Sequence, residues 1–200
     1  MKAARSTAAL SLLLLLAGCS APAGTGPEAA PPAPASSGSA TTATGAPADP
    51  TDAAWAQLMT PMNEQAVVLL TLAGQRAADP RVRRWAAGLR AAQSGELARL
   101  RPLLARMGLP DTNVHEGHDM PGMVTEPDLE RARAVEGRAF DRVLMTLVRE
   151  HLSQSAQVSR SEAKSGTRPD ARRLATALVS ARKAELAELD LLPGPSEAAG

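Results

Sequence analysis

From Thr51 onward the apolar positions recur at spacings of three and four, and no stretch alternates as a strand would. The pattern predicts an all-α chain. A short turn around Trp55–Met59 leads into Thr60-Pro61, which reads as an N-cap followed by proline at the first helical position, with Glu64 close behind. That helix runs to about Ala77. Asp79-Pro80 repeats the start signal, and a long helix follows to about Met107, bent near its end by Pro102 and stopped by Gly108 and Pro110. Thr125, Pro127 and Asp128 open a third helix that reaches about Lys164 and stops at Gly166. Pro169 opens a fourth, ending at Leu192 before Pro193. Four helices with short turns inside each pair, and a longer connector over 108–125, are therefore expected.

The two pairs repeat. A constant offset of 89 sets Pro80 against Pro169, Arg83-Arg84 against Arg172-Arg173, Glu96 against Glu185 and Leu100 against Leu189. The same offset sets Met62 against His151 and Ala66 against Ser155. Residues 52–107 and 126–192 thus read as a duplicated helical hairpin, and two hairpins can bury their apolar stripes on each other as a four-helix bundle over 51–193. Three polar residues interrupt those stripes. Glu96 lies among Leu89, Ala92 and Leu100; Glu185 among Leu178, Ala181 and Leu189; His151 among Leu144, Leu147 and Ser155. Folding each hairpin about its turn brings Met62, Glu96, His151 and Glu185 into one layer. Buried carboxylates must be paired or bound to metal. The layer is therefore either a metal site or a salt-bridged core in which Arg182 or Arg149 pairs with Glu96 or Glu185. A di-iron oxidase centre would need repeated Glu-x-x-His pairs, which the chain lacks.

The connector carries "HEGHDMPGM", with two of the three histidines and two of the seven methionines. Thioether selects Cu(I), and imidazole suits copper in both common oxidation states. His115, His118, Met120 and Met123 are the candidate ligands, and Gly117 and Gly122 let the chain curl around an ion. The spacing is not that of a zinc-protease helix: the histidines are three apart with a glycine between them. A solvated loop is the other reading. Met59, Met62 and Met107 also suit core filling.

Composition narrows the partners. The first 18 residues hold Lys2 and Arg5, then an apolar run from Leu10 to Ala17, too short to span a membrane, as an export signal does. The Leu-Ala-Gly-Cys that follows resembles a bacterial lipobox, which implies cleavage before Cys19 and lipid on its thiol. Residues 19–50 are built of Ala, Pro, Gly, Ser and Thr and read as a disordered tether; 194–200 read as a tail. Cys19 is the only cysteine, so no disulfide and no thiolate ligand is expected in the bundle. Loss of Lys2 and Arg5 with the leader leaves 20 basic against 21 acidic residues. With three aromatic residues in all, nucleic-acid binding has neither its charge nor its stacking groups. No nucleophile-with-base arrangement suggests an enzyme.

The leader, the two "P…R.(W/L)A…EL..L" helices and the "H..HDMPGM" connector together resemble the DUF305 family of secreted or lipid-anchored bacterial proteins, over about residues 51–192. The resemblance implies a ferritin-like four-helix fold, and some members are associated with copper. The family carries His-His pairs in the first helix of each repeat. Here Met62-Asn63 and His151-Leu152 stand in those places, and the second-helix "Q..E" is Gln93/Glu96 in one repeat and Arg182/Glu185 in the other. The expectation is a lipid-anchored protein on the extracytoplasmic face of the cell membrane, binding a metal, copper first, for sequestration or homeostasis. The alternative is a structural or interaction lipoprotein whose bundle has lost its ligands.

Overall fold

The computed structural model describes residues 49–193. The expected leader, the expected lipidation site Cys19, the expected tether before Asp49 and the expected C-terminal tail lie outside the described residues. Five helices follow in order: α1 Pro50–Arg76, α2 Pro80–Arg106, α3 Glu126–Arg133, α4 Gly137–Ser165 and α5 Pro169–Asp190. α1 packs along α2 and α4 along α5; α1 and α4 form the main seam between the two hairpins, while α2 and α5 touch little. Four long helices thus make the expected bundle, and α3 is a two-turn addition that packs on α4.

Two boundaries differ from the sequence reading. α1 is one helix from Pro50, with Pro61 inside it. Asp49 caps its start by accepting Thr51 N–H at 2.9 Å, so the start signal lies eleven residues before the one read at Thr60. Thr60 instead turns its hydroxyl back onto the Ala56 carbonyl at 2.9 Å. The expected third helix is two helices. The capping box on Thr125 and Asp128 is present, but the helix stops at Arg133, and Gly137 at φ 60° redirects the chain into α4. The Arg76 guanidinium donates to the Val135 carbonyl at 3.1 Å across that break.

The hairpins hold each other by exchanged caps. Asp52, in the first turn of α1, accepts the backbone N–H of Thr167 at 3.1 Å and of Arg168 at 3.1 Å, in the turn before α5. Asp141, in α4, accepts the backbone N–H of Ala78 and of Asp79 at 3.0 Å each, in the turn before α2. Each hairpin's first helix therefore satisfies the orphan donors of the other hairpin's turn. The offset of 89 relates all three positions: 52 to 141, 78 to 167 and 79 to 168.

Two apolar clusters fill the bundle. One gathers Leu69, Leu70, Val82, Leu89, Phe140, Leu144 and Leu152; the other gathers Trp55, Met59, Met62, Leu100, Leu103, Ala175 and Leu178. Among the described residues no helix is long and apolar enough to cross a membrane.

Candidate functional site

Between the two apolar clusters lies a layer of buried polar side chains: Asn63 from α1, Gln93 and Glu96 from α2, His151 and Ser155 from α4, and Arg182 from α5. Arg182 has no solvent exposure. A guanidinium taken out of water costs several kcal/mol unless every donor is answered. All five N–H groups are. Nε donates to Ser155 Oγ at 2.7 Å. Nη1 donates to Glu96 Oε1 at 2.9 Å and to Glu185 Oε2 at 2.8 Å. Nη2 donates to Glu96 Oε2 at 2.6 Å and to Asn63 Oδ1 at 3.4 Å. The Arg182–Glu96 pair is a two-pronged fork, and Asn63 Nδ2 adds a bond to Glu96 Oε2 at 2.8 Å. Burial would lower the Arg182 pKa, but the bonds and charges of Glu96 and Glu185 outweigh it and raise it. Burial raises Glu185, against the opposing pull of Arg182.

His151 sits beside this network without joining it. Its Nδ1 lies 3.3 Å from the Gly122 carbonyl, and its Nε2 lies 3.0 Å from Gln93 Nε2. A neutral ring with the proton on Nδ1 answers both, donating to Gly122 and accepting from Gln93. Burial first, and then the Arg182 charge, pull its pKa down to about 3. His151 therefore fastens the connector to the bundle.

The layer does contain Glu96 and Glu185, as the helical mirror predicts, but their common partner is a guanidinium. Arg149, the other candidate, pairs with Asp190 at the surface, at 2.7 Å. Met62 is packed in the apolar cluster at 1 % exposure. A metal does not fit this donor set. The carboxylates are already spent on Arg182, and a second cation here would face a fixed positive charge in a low-dielectric space.

The connector offers different chemistry. Asn113 Oδ1 accepts the His115 N–H at 3.0 Å, and the His118 N–H donates to the His115 carbonyl at 3.0 Å. The Met123 N–H donates to the Met120 carbonyl, also at 3.0 Å. These are two successive four-residue turns, each with glycine third: Gly117 at φ 79° and Gly122 at φ 73°. Pro121-Gly122 is the type II pattern. In such turns the first and fourth Cα atoms lie within about 7 Å, so one turn pairs His115 with His118 and the next pairs Met120 with Met123. His118 is exposed and His115 and Met120 are half-buried. Met123 is 8 % exposed and rests on the cluster around Trp55 and Leu103. Among the described residues, no three His, Cys, Asp or Glu side chains form a group able to hold a metal ion. Beside its two imidazoles the connector offers two thioether sulfurs, donors whose softness suits Cu(I).

Sequence reasoning set Ser155 in the His151 stripe and Asn63 at a family histidine position without assigning either to the ion-pair layer, and missed Asp52, Asp141 and Glu162 altogether. The offset of 89 was the signal available for the two aspartates.

These features define a class: a bundle of two like hairpins with exchanged caps, a closed ion-pair layer and an ordered His/Met connector. The family described as "Domain of unknown function (DUF305)" matches residues 52–192, and the chain belongs to it. Two solved structures share the fold. A DUF305 protein of Streptomyces coelicolor, assigned as secreted, is 24% identical with a TM-score of 0.63; the match covers 71% of this chain and 91% of that one. A DUF305 fragment from Deinococcus radiodurans is 20% identical with a TM-score of 0.64, covering 72% and 96%. The curated proteins give no match.

Proposed function

We propose that this chain is a lipid-anchored extracytoplasmic protein that binds copper on its connector and serves in metal sequestration or homeostasis, without turnover. The observation that carries the reading is the pair of successive turns at 115–118 and 120–123, fastened to the bundle through His151. They hold two imidazoles and two thioethers on one short ordered segment, where a softer cation than Zn(II) or Mg(II) is favoured. The leader with its lipobox-like end, and the secreted assignment of the Streptomyces coelicolor relative, support the compartment.

The second reading, a structural or interaction lipoprotein, draws on the polar layer. Arg182 supplies that layer's positive charge from within the chain, so the bundle needs no ion to fold. The two readings separate in a Cu(I) titration against a chromophoric chelator. Copper binding predicts uptake of one ion per chain, sharply weakened by His115→Ala with His118→Ala at unchanged thermal stability. Uptake that is absent, or equal in the double variant, favours the structural reading.

A further inference from the structure

The two exchanged caps are not equal. At the first joint, Asp141 lies over a turn flanked by Ala73 and Ala77, both buried. At the second, the offset of 89 puts Glu162 in the place of Ala73 and Gly166 in the place of Ala77. The two changes belong together. A Cβ on Gly166 would run into the Glu162 carboxyl, with its Cδ at 2.6 Å, and would lie 2.8 Å from Asp52 Oδ1. The backbone of Gly166 needs no glycine, since its φ is −63°. The missing methyl therefore makes room for a second carboxyl group beside Asp52.

That carboxyl is buried, at 1 % exposure, and while ionised neither of its oxygens has a hydrogen-bond donor. Asp52 cannot donate one while it is ionised, and it is the member held ionised. Burial raises Asp52, but the bonds from Glu162, Thr167 and Arg168 outweigh burial and lower it. Its oxygens already take the Thr167 hydroxyl at 2.8 Å and two backbone N–H groups. Two facing charges in this space are costly. A proton on Glu162 removes one of them and supplies the missing O–H···O bond to Asp52.

We propose that Asp52 and Glu162 share one proton and form a proton-operated latch between the hairpins, closed while Glu162 holds the proton and forced apart when it leaves. On release, the Glu162 O–H bond breaks, the proton passes to water and two carboxylates remain. The groups facing the pair set the pH. Asp49, ahead of α1, adds to the negative field; Arg172, on α5, opposes it. Arg168 leans on Asp170 through Nη2 at 3.2 Å, and its buried Nε has no partner. Burial, then the bond and charge of Asp52, push Glu162 up to about 8. A cation in place of the proton is disfavoured by the N–H and O–H groups already pointing at Asp52.

Glu162 binds its proton more tightly in the folded than in the unfolded chain. Its stabilising effect is complete below its ordinary pKa, near 4.3, and is lost as pH rises through about 8. His151, neutral when folded and with an ordinary pKa near 6.5 when unfolded, adds a smaller slope of opposite sign that fades above about pH 7.5 and is common to the wild type and a Glu162 variant. The test is unfolding of the full chain between pH 6.5 and 8. Relative to Glu162→Gln, the wild type should lose about 15-fold in its folding equilibrium constant across that range, the slope nearing tenfold per pH unit at the lower end and halving by pH 8. Glu162→Gln, whose amide donates to Asp52 at every pH, should abolish that slope. Carboxyl-carbon NMR of the wild type, which needs no variant, should show one glutamate titrating near pH 8. An unchanged slope in Glu162→Gln, or a Glu162 that titrates in the ordinary range, would overturn the latch. So would millimolar Ca(II) or Mg(II) stabilising the wild type but not Glu162→Gln at pH 8.5, which would make the pair a cation site.

Discussion

A guanidinium shut away from water must find an acceptor for every N–H, and Arg182 finds five on residues from all four long helices. Removing it strands Glu96, at 2 % exposure, and the partly buried Glu185. Arg182→Met should therefore cost about 3–5 kcal/mol in chemical unfolding, and adding Glu96→Met should restore most of it, because an apolar replacement of a buried pair is close to neutral. Failure of the second change to rescue would mean the layer is held by something other than charge pairing. The sequence showed this site in part. Glu96, Glu185 and His151 stood out because each interrupts an apolar stripe, and Arg182 because its repeat partner is Gln93. Ser155 shared the His151 stripe and Asn63 took a family histidine's place, but neither showed that it would meet a guanidinium, since a small polar residue on a helix reads the same whether it faces water or a buried charge.

At the scale of the elements, joints matter more than helices. Helix existence was legible from period and proline, but the break between α3 and α4 was not. It depends on a single glycine at positive φ, and a glycine inside a helical pattern does not announce its dihedral. The exchanged caps were legible only as an unexplained repeat of aspartates, because a cap on another hairpin's turn leaves no local signature. Asp141→Ala should expose two backbone donors before α2 and cost roughly 1.5–3 kcal/mol in urea unfolding. Loss well below that range would mean that water replaces the carboxylate. The connector has its own joint at Gly122. A Cβ there would press on Gln154 and lie 2.9 Å from the Glu150 carbonyl, at a φ of 73° that other residues resist. Gly122→Ala should push the connector off α4, break the His151 contact and lower the melting temperature. Hydrogen exchange should rise at Met123, whose N–H closes the turn. Unchanged exchange there would show the turn to be held independently of His151.

Across the whole molecule, the bundle and the connector divide the work. The bundle supplies its own core cation and its own caps, and so stands as a rigid frame. The connector is the one covalent link between the hairpins, and it carries the candidate soft ligands. On this account copper adds little to the fold and depends on the frame for position. X-ray absorption at the copper edge of the Cu(I)-loaded full chain tests this most directly. The account predicts one ion per chain in a mixed shell of imidazole nitrogen and thioether sulfur, with the nitrogen signal lost in the His115→Ala, His118→Ala variant. Failure to load copper, or a shell without sulfur that survives the double variant, would contradict it.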